Sequence, residues 1–531
     1  MTEQSVSTAL PLQGVYPENG HRTDGERNII QSINPITKVV LGEVPVATPE
    51  DIQAVMQRVR AAQPAWASRP LEERIALLRQ FQKSLYYHHE AMVQMLADEA
   101  GKVLHEARIE MIDAFGVTEY YVKITKKALK PQPRYVMLLP YRRQKVVRKP
   151  YGVVLVIAPW NFPLLLSLTP IITALVAGNT VVYKPSEYGT QTGELIKKAL
   201  YDAGFPEDVF QIVHGYGDVG AALIDARPDK ICFTGSETTG RKIAAKAGEH
   251  LIPVIMELGG KDAAIVLEDA DIERTARGLV WAGVFNAGQM CVAIERVYVM
   301  RSVADQLIER MKYHMEKSVR PGPNSDHHST YGAIITEAQA KIIQQQVEDA
   351  RAKGATVMTF SEPHGENAER FYAPTLITNV KPDMEIMQRE TFGPVIPVIP
   401  VDSEEEAIRL HNDSEYGLTG SVWTEDAERG KRIMEQLNVG VVSLNDHVVS
   451  MSTPEMPWGG IKASGYGRTR GIEGLHEMTY PQTFSTERFR LPYKFDLFWL
   501  PYTPFKKAFL RRFFHLWFGA TFKDRLKAFK P

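Results

Sequence analysis

The sequence predicts an α/β fold organised around a parallel sheet, and three observations carry this. Between residues 151 and 258, short β-branched runs alternate with helical stretches, the pattern of strands joined by crossover helices. A second α/β stretch covers about 262–445. The 531 residues are 44% hydrophobic and 24% charged, ordinary for a globular chain of about three domains. That composition excludes a disordered chain, a collagen and a multi-span membrane protein.

Taken in order, residues 1–30 are polar and read as loose. Glu3 and Glu18 and the lack of an apolar run argue against a secretory signal. Pro49–Ala62, Pro70–Lys102 and His105–Lys127 place apolar residues at spacings of three and four, which predicts helices. Pro131–Pro150 carries Pro, Tyr and Arg with little helical period, and reads as an extended excursion. Strands are expected at Gly152–Ala158, Thr180–Tyr183, Val209–Val213, Lys230–Phe233 and Ile252–Glu257, with helices between them. In the second stretch they are expected at Ala263–Val266, Arg296–Val299 and Pro394–Val401. The uncharged run Leu164–Ala177 contains Pro170, is too short to span a bilayer, and reads as a buried helix.

Two cysteines, Cys232 and Cys291, exclude a disulfide framework, and without a CxxC no structural zinc site or other metal site is expected. The formal net charge of −1 argues against nucleic-acid binding. A reducing, cytoplasmic compartment is the expectation. The charge is uneven, however. Arg488–Pro531 holds 11 Lys and Arg, 2 Asp and Glu, and 14 of the 49 aromatics. Phe505, Phe509, Phe513 and Leu516 recur at helical spacing there, flanked by Leu510 and Trp517. Lys507, Arg511 and Arg512 point elsewhere, and Lys506 intrudes on the apolar side. Such a pattern fits a helix lying on an anionic membrane surface, peripheral on its inner face. Packing on the body or on a partner subunit is the alternative.

Two glycine loops follow strands. Gly215-Tyr-Gly217-Asp-Val-Gly220 spells GxGxxG, where a dinucleotide fingerprint would sit, but alone it is a weak signal. In Phe233-Thr-Gly235-Ser236-Glu-Thr-Thr-Gly240, Ser236 could bond a phosphate at a helix N-terminus. No Walker lysine motif is present. Asn286-Ala-Gly288-Gln289-Met-Cys291 puts a thiol after a glycine-containing turn. A lone cysteine is ordinarily an inert small hydrophobe, and reactivity requires a lowered pKa or a positioned base. Met256-Glu257-Leu-Gly-Gly-Lys261 supplies a carboxylate at a strand end. Pro159-Trp160-Asn161-Phe162-Pro163 supplies an amide between rigid residues, suited to an oxyanion.

Each motif is ambiguous singly; the combination is not. PWNFP, YKPSE, FTGSETTG, ELGGKD, GQMC, ETFGP and PWGGIKASGYGR, in this order over about 30–487, resemble the NAD(P)-dependent aldehyde dehydrogenases. That family also shares the 34-residue interval from Glu257 to Cys291. The resemblance implies a Rossmann-type parallel-sheet NAD domain over 30–130 and 151–258, and an α/β catalytic domain over 259–446. It also implies a return segment over 447–468 and a small β oligomerisation part joining 131–150 to 469–487. A basic aromatic tail, 488–531, lies beyond it.

By the same resemblance Cys291 is the nucleophile, forming a thiohemiacetal and then a thioester. Asn161 and the Cys291 N–H bind the oxyanion, and Glu257 activates the hydrolytic water. Lys184 and Glu187 hold the adenosine ribose, and Glu390 and Phe392 place the nicotinamide half. Ile157, Trp160, Gly235, Ser236, Gly240 and Leu258 match further cofactor positions. The GxGxxG at Gly215 would then lie nearer the adenine. A carboxylate at Glu187 repels a 2′-phosphate, which favours NAD, with NADP as the alternative. A homodimer or homotetramer is implied.

The substrate signals divide. Pro170, standing where many relatives have Lys, and KPSE resemble the fatty-aldehyde branch. QMCVAIERVYV and the PEMPWGG region resemble a bacterial succinic-semialdehyde branch. Leu164–Ala177 has no charge, so an apolar or long-chain aldehyde is expected, with succinic semialdehyde as the alternative. A catalytically silent membrane-scaffold protein is the reading from another class, and the intact Cys291, Glu257 and Asn161 weigh against it. Asp262 stands where many relatives have Ser or Asn, and the sequence offers no reason for it.

Overall fold

The computed structural model describes residues 21–24, 27–137, 139, 141–363, 367–492 and 496–529. Of the segment expected to be loose, 1–20 lies outside the described residues. The rest departs from expectation: His21–Asp24 and Arg27–Ile33 are strands, paired antiparallel with each other, and the second pairs with Val40–Pro45. The β-branched Ile29 and Ile30 and this neighbouring strand give the polar segment a ladder that its composition hides.

Three helices follow, Pro49–Ser68, Leu71–Glu99 and Leu104–Ala128. The first starts on a capping box, Thr48 with Asp51. It continues six residues beyond the expected end at Ala62, through Pro64. Buried Trp66, whose indole N–H donates to the Leu175 carbonyl at 3.0 Å, holds that last turn in place.

The first parallel sheet has the spatial order Gly465–Tyr466, Val254–Glu257, Lys230–Thr234, Val153–Ile157, Thr180–Lys184, Phe210–Ile212, and only Gly465–Tyr466 runs antiparallel. The strand order reverses between Val153–Ile157 and Lys230–Thr234. Ligands of open α/β sheets bind at such a switch point, outside the carboxyl ends of the strands. The uncharged run forms the α-helix Leu165–Ala177, buried along almost its whole length and closed by Gly178 in the left-handed conformation.

The second sheet has the order Thr356–Thr359, Thr375–Thr378, Val395–Val401, Arg296–Met300, Ala263–Val266, Thr419–Trp423, Val441–Leu444. It is parallel except for the first pair. A three-stranded sheet joins Thr479–Glu487, Arg142–Pro150 and Gln132–Arg134.

Two compact units result: Met1–Leu129 with Lys149–Tyr480, and Lys130–Arg148 with Pro481–Pro531. In the second unit, Pro504–Phe518 is a helix capped by Thr503 and followed by Phe522–Leu526. Phe505, Phe509, Phe513 and Trp517 form a ladder of rings 5.5–6.4 Å apart along one face. Phe505 and Trp517 are each more than half exposed. Lys506, which interrupts the apolar pattern in sequence, is buried with its ammonium on the Trp499 carbonyl, 2.8 Å away. Among the described residues no helix is long and apolar enough to cross a membrane.

Candidate active site

Four strands of the first sheet deliver their carboxyl ends to one side, and with them Ile157, Lys184, Gly235 and Glu257. Lys184 is buried, its ammonium on the Pro185 carbonyl at 3.2 Å. Burial holds its pKa below the usual lysine range, with Glu187 and Asp218 opposing. Asp218 belongs to the GxGxxG segment, so that loop lies beside Lys184 and Glu187. Ser236 caps the helix Glu237–Glu249, accepting from the Thr239 N–H. A Cβ at Gly240 would collide with the Leu258 side chain, so glycine lets the helix approach the strand end. A helix N-terminus, a lysine and a carboxylate gathered at strand ends fit a dinucleotide.

The loop that leads to Cys291 is held in a rare conformation. Asn286 and Ala287 have φ of 54° and 56°, and Gly288 follows at 70°. The Asn161 side chain donates to the Gln289 carbonyl at 3.0 Å, and Asn286 donates to the carbonyls of Asn161 and Gln289 at 3.2 and 3.1 Å. Glu106 accepts from the Asn286 N–H at 2.7 Å. Buried polar contacts of this kind hold left-handed residues that sequence alone would disfavour.

Cys291 and Glu257 line one cavity with Leu166, Thr169, Pro170, Trp458, Thr469 and Arg470. Burial pushes the Cys291 thiol up, and the carboxyls of Asp262, Glu257 and Glu390 add to it. Glu257 is pushed up to about 8 by burial, with Arg468, Arg470 and a Thr469 hydrogen bond pulling the other way. The two glycines of ELGGKD are steric requirements: a Cβ at Gly259 would meet the Glu390 carboxylate, and one at Gly260 would lie 2.5 Å from the Cys291 carbonyl oxygen.

Glu390 accepts from the Gly260 N–H at 3.1 Å and is pushed up to about 8 by burial and by Glu295. Phe392 has φ of 52°, and its ring meets that of Trp160 edge to face at 5.6 Å. The sequence-predicted residues thus gather in three groups: Cys291, Glu257 and Asn161; Trp160, Glu390 and Phe392 beside them; Lys184 and Glu187 further along the strand ends.

Sequence reasoning missed Glu295, which pins this arrangement from beneath. It accepts from the N–H groups of Thr391 and Phe392 at 2.8 Å each and pairs with Lys261. It also missed Arg470, which lies two residues beyond the end of PWGGIKASGYGR. Asp262 gains a reason here: its buried carboxyl accepts from the Thr419 N–H and hydroxyl, tying the strand Ala263–Val266 to Thr419–Trp423.

Residues 22–484 match the aldehyde dehydrogenase family. The chain is 39% identical over 460 residues to a Mycolicibacterium smegmatis protein named "Putative succinate-semialdehyde dehydrogenase [NADP(+)]", covering 86% of this chain and 89% of that one. It is 36% identical over 477 residues to a 4,4'-diapolycopene aldehyde oxidase from a Methylomonas species, covering 89% and 88%. Among solved structures, an NAD-dependent aldehyde dehydrogenase from Sinorhizobium meliloti superposes with a TM-score of 0.83 at 32% identity, over 88% of this chain and 93% of that one.

Proposed function

The chain belongs to the aldehyde dehydrogenase family and is an NAD(P)-dependent enzyme, and from that premise we propose that it oxidises an apolar, long-chain aldehyde to the carboxylic acid through Cys291. The observation that carries this is the shared cavity: Cys291 and Glu257 line it together with the uncharged Leu166, Thr169 and Pro170.

The Cys291 thiol gives its proton to solvent, and the thiolate attacks the aldehyde carbon. The carbonyl oxygen becomes an oxyanion, bonded by the Asn161 amide and the Cys291 N–H. Asn161 has a second amide hydrogen besides the one on Gln289. Bound NAD(P)+ supplies the acceptor for the hydride that leaves the thiohemiacetal carbon. Glu257 then takes a proton from water, whose oxygen bonds the thioester carbon as the carbon–sulfur bond breaks and the thiolate is restored. Lys184, Glu187 and the Gly235–Gly240 segment would hold the adenosine and phosphate half, with Ile157 and Leu258 beside them. Trp160, Glu390 and Phe392 would place the nicotinamide. The Glu187 carboxylate supports NAD over NADP.

A semialdehyde substrate needs a cation free for its carboxylate. The cation lining this cavity is Arg470, and its charge is already opposed by Asp113 and Glu257, which supports the apolar reading. Expected for the full chain is a much higher kcat/KM with decanal than with succinic semialdehyde at matched concentration, read as NADH formation. The reverse order overturns the apolar reading, and equal turnover by Cys291→Ala overturns the mechanism.

Two further parts belong to this proposal. The strand Thr479–Glu487 is at a sheet edge with mostly exposed side chains, which supports a dimer or tetramer formed by pairing with another copy. The exposed aromatic face of Pro504–Phe518 in a tail of 11 basic residues supports attachment to an anionic membrane surface, where long-chain aldehydes partition.

A further inference from the structure

The catalytic cavity contains a charged residue to which the chemistry above gives no task. Arg470 precedes the short helix Gly471–Glu477 with φ 59° and ψ −178°, a region of backbone space occupied almost exclusively by glycine. Its side chain is 4% exposed, and its guanidinium lies 5.5 Å from the Trp458 ring centroid. Arg470 and Trp458 line the cavity together with Cys291 and Glu257. Arg470 Nη1 is buried without a hydrogen-bond partner among the described residues, and so is Glu257 Oε1. Two residues lining one cavity, one basic and one acidic, thus each keep a buried polar atom without a hydrogen-bond partner. A strained backbone and a buried guanidinium nitrogen without a hydrogen-bond partner are both costs that a glycine here would remove, and such costs persist where a site uses them.

The charged and titratable groups around Arg470 are Asp113 and Tyr121 on the helix Leu104–Ala128, Glu257 on its strand, and Cys291. Arg468 also faces Glu257, and Asp262 and Glu390 face Cys291.

We propose that Arg470 is a positioning residue for deacylation, its guanidinium being the counter-charge that holds Glu257 as a carboxylate facing the thioester carbon on Cys291. This rests on the roles given above to Cys291 and Glu257. In the step it serves, a water proton passes to Glu257, the water oxygen bonds the acyl carbon, and the carbon–sulfur bond breaks to return the thiolate. Burial favours a protonated Glu257, while Arg468 and Arg470 both oppose that. Removing Arg470 leaves Arg468 and the Thr469 hydrogen bond to do so, and the base then ionises only at higher pH.

The test compares the full-length wild type with Arg470→Gly, which the backbone accepts, and Arg470→Lys, which keeps the charge. Acylation by p-nitrophenyl acetate needs no cofactor: the nitrophenolate burst reads acylation of Cys291, and the steady state reads deacylation. Expected for Arg470→Gly are a burst of wild-type amplitude, which also reports folding, and about tenfold slower deacylation at pH 7. Its ascending limb should move up by about one pH unit, while Arg470→Lys keeps the wild-type limb. A wild-type limb and rate in Arg470→Gly overturn the assignment. So does an unshifted limb with a raised KM for succinic semialdehyde and none for decanal, which gives Arg470 to a substrate carboxylate. A wild-type burst in Cys291→Ala would instead remove the catalytic reading on which the assignment rests.

Discussion

The Lys261 ammonium lies 2.5 Å from the Glu295 carboxylate, and both side chains are buried. The same carboxylate receives the N–H groups of Thr391 and Phe392. One buried ion pair therefore joins ELGGKD, the segment just after Cys291 and the ETFGP segment. Removing one partner of such a pair leaves an uncompensated charge and costs about 3–5 kcal/mol. Glu295→Gln is expected to lower the Tm and, by releasing Glu390 and Phe392, to raise the KM for NAD about tenfold or more. Thermal unfolding and an NAD titration check this; an unchanged KM would detach the pair from the cofactor.

A Cβ at Gly260 would lie 2.5 Å from the Cys291 carbonyl oxygen. Gly260→Ala must push the loop that carries Cys291, whose left-handed Asn286 and Ala287 leave it few alternatives. The expected result is a loss of about 1–3 kcal/mol in stability with kcat down about a hundredfold. Thiol alkylation and NADH formation measured on the same sample separate a displaced Cys291 from an unfolded protein.

Glu257 is pushed up to about 8 by burial. A base works only when ionised, so turnover limited by deacylation should rise about tenfold per pH unit and level off above about 8. The same displacement acts on stability. The folded carboxyl keeps its proton to a higher pH than the unfolded one, from the ordinary glutamate value of 4.5 upward, so the folded state binds more protons in this window. Stability is therefore lost as the pH rises from 4.5 through about 8. Glu257→Gln should abolish deacylation yet unfold at higher temperature than wild type at pH 9, by an amount on the order of 1–3 kcal/mol. The gap should narrow at pH 6; a gap independent of pH would contradict the displaced ionisation.

Local pattern made much of this molecule legible. The helix Leu165–Ala177 and the strands Val153–Ile157, Thr180–Lys184 and Ala263–Val266 lie where apolar runs and turn residues place them. What stayed hidden depends on distant partners. The helix past Pro64 is fixed by Trp66 on a carbonyl 109 residues away. Glu295 reads as an ordinary charge until Thr391 and Phe392 fold onto it. Arg470 belongs to no motif, and its burial and left-handed backbone show only in the fold. Motif order singled out Cys291, Glu257 and Asn161, but the groups packed around them carry no spacing of their own.

The tail allows a last prediction. Phe505, Phe509, Phe513 and Trp517 stack along one face of Pro504–Phe518, and Lys507 and Arg512 are exposed on the same helix. Each basic residue near an anionic bilayer contributes about 1 kcal/mol, and that contribution is screened within a Debye length of about 10 Å at 0.1 M salt. The full chain should therefore sediment with phosphatidylserine vesicles and not with phosphatidylcholine vesicles, and should be released by high salt. A chain ending at Glu487 should stay in solution while keeping its activity on a short, soluble aldehyde. Lys507→Glu with Arg512→Glu should weaken vesicle binding at least tenfold, and Phe509→Ser with Trp517→Ser should do so even at low salt, because apolar burial is not screened. If the truncated chain binds vesicles as well as the full one, the membrane reading of the tail fails. If truncation instead changes only the sedimentation coefficient of the free protein, the aromatic face belongs to a subunit interface.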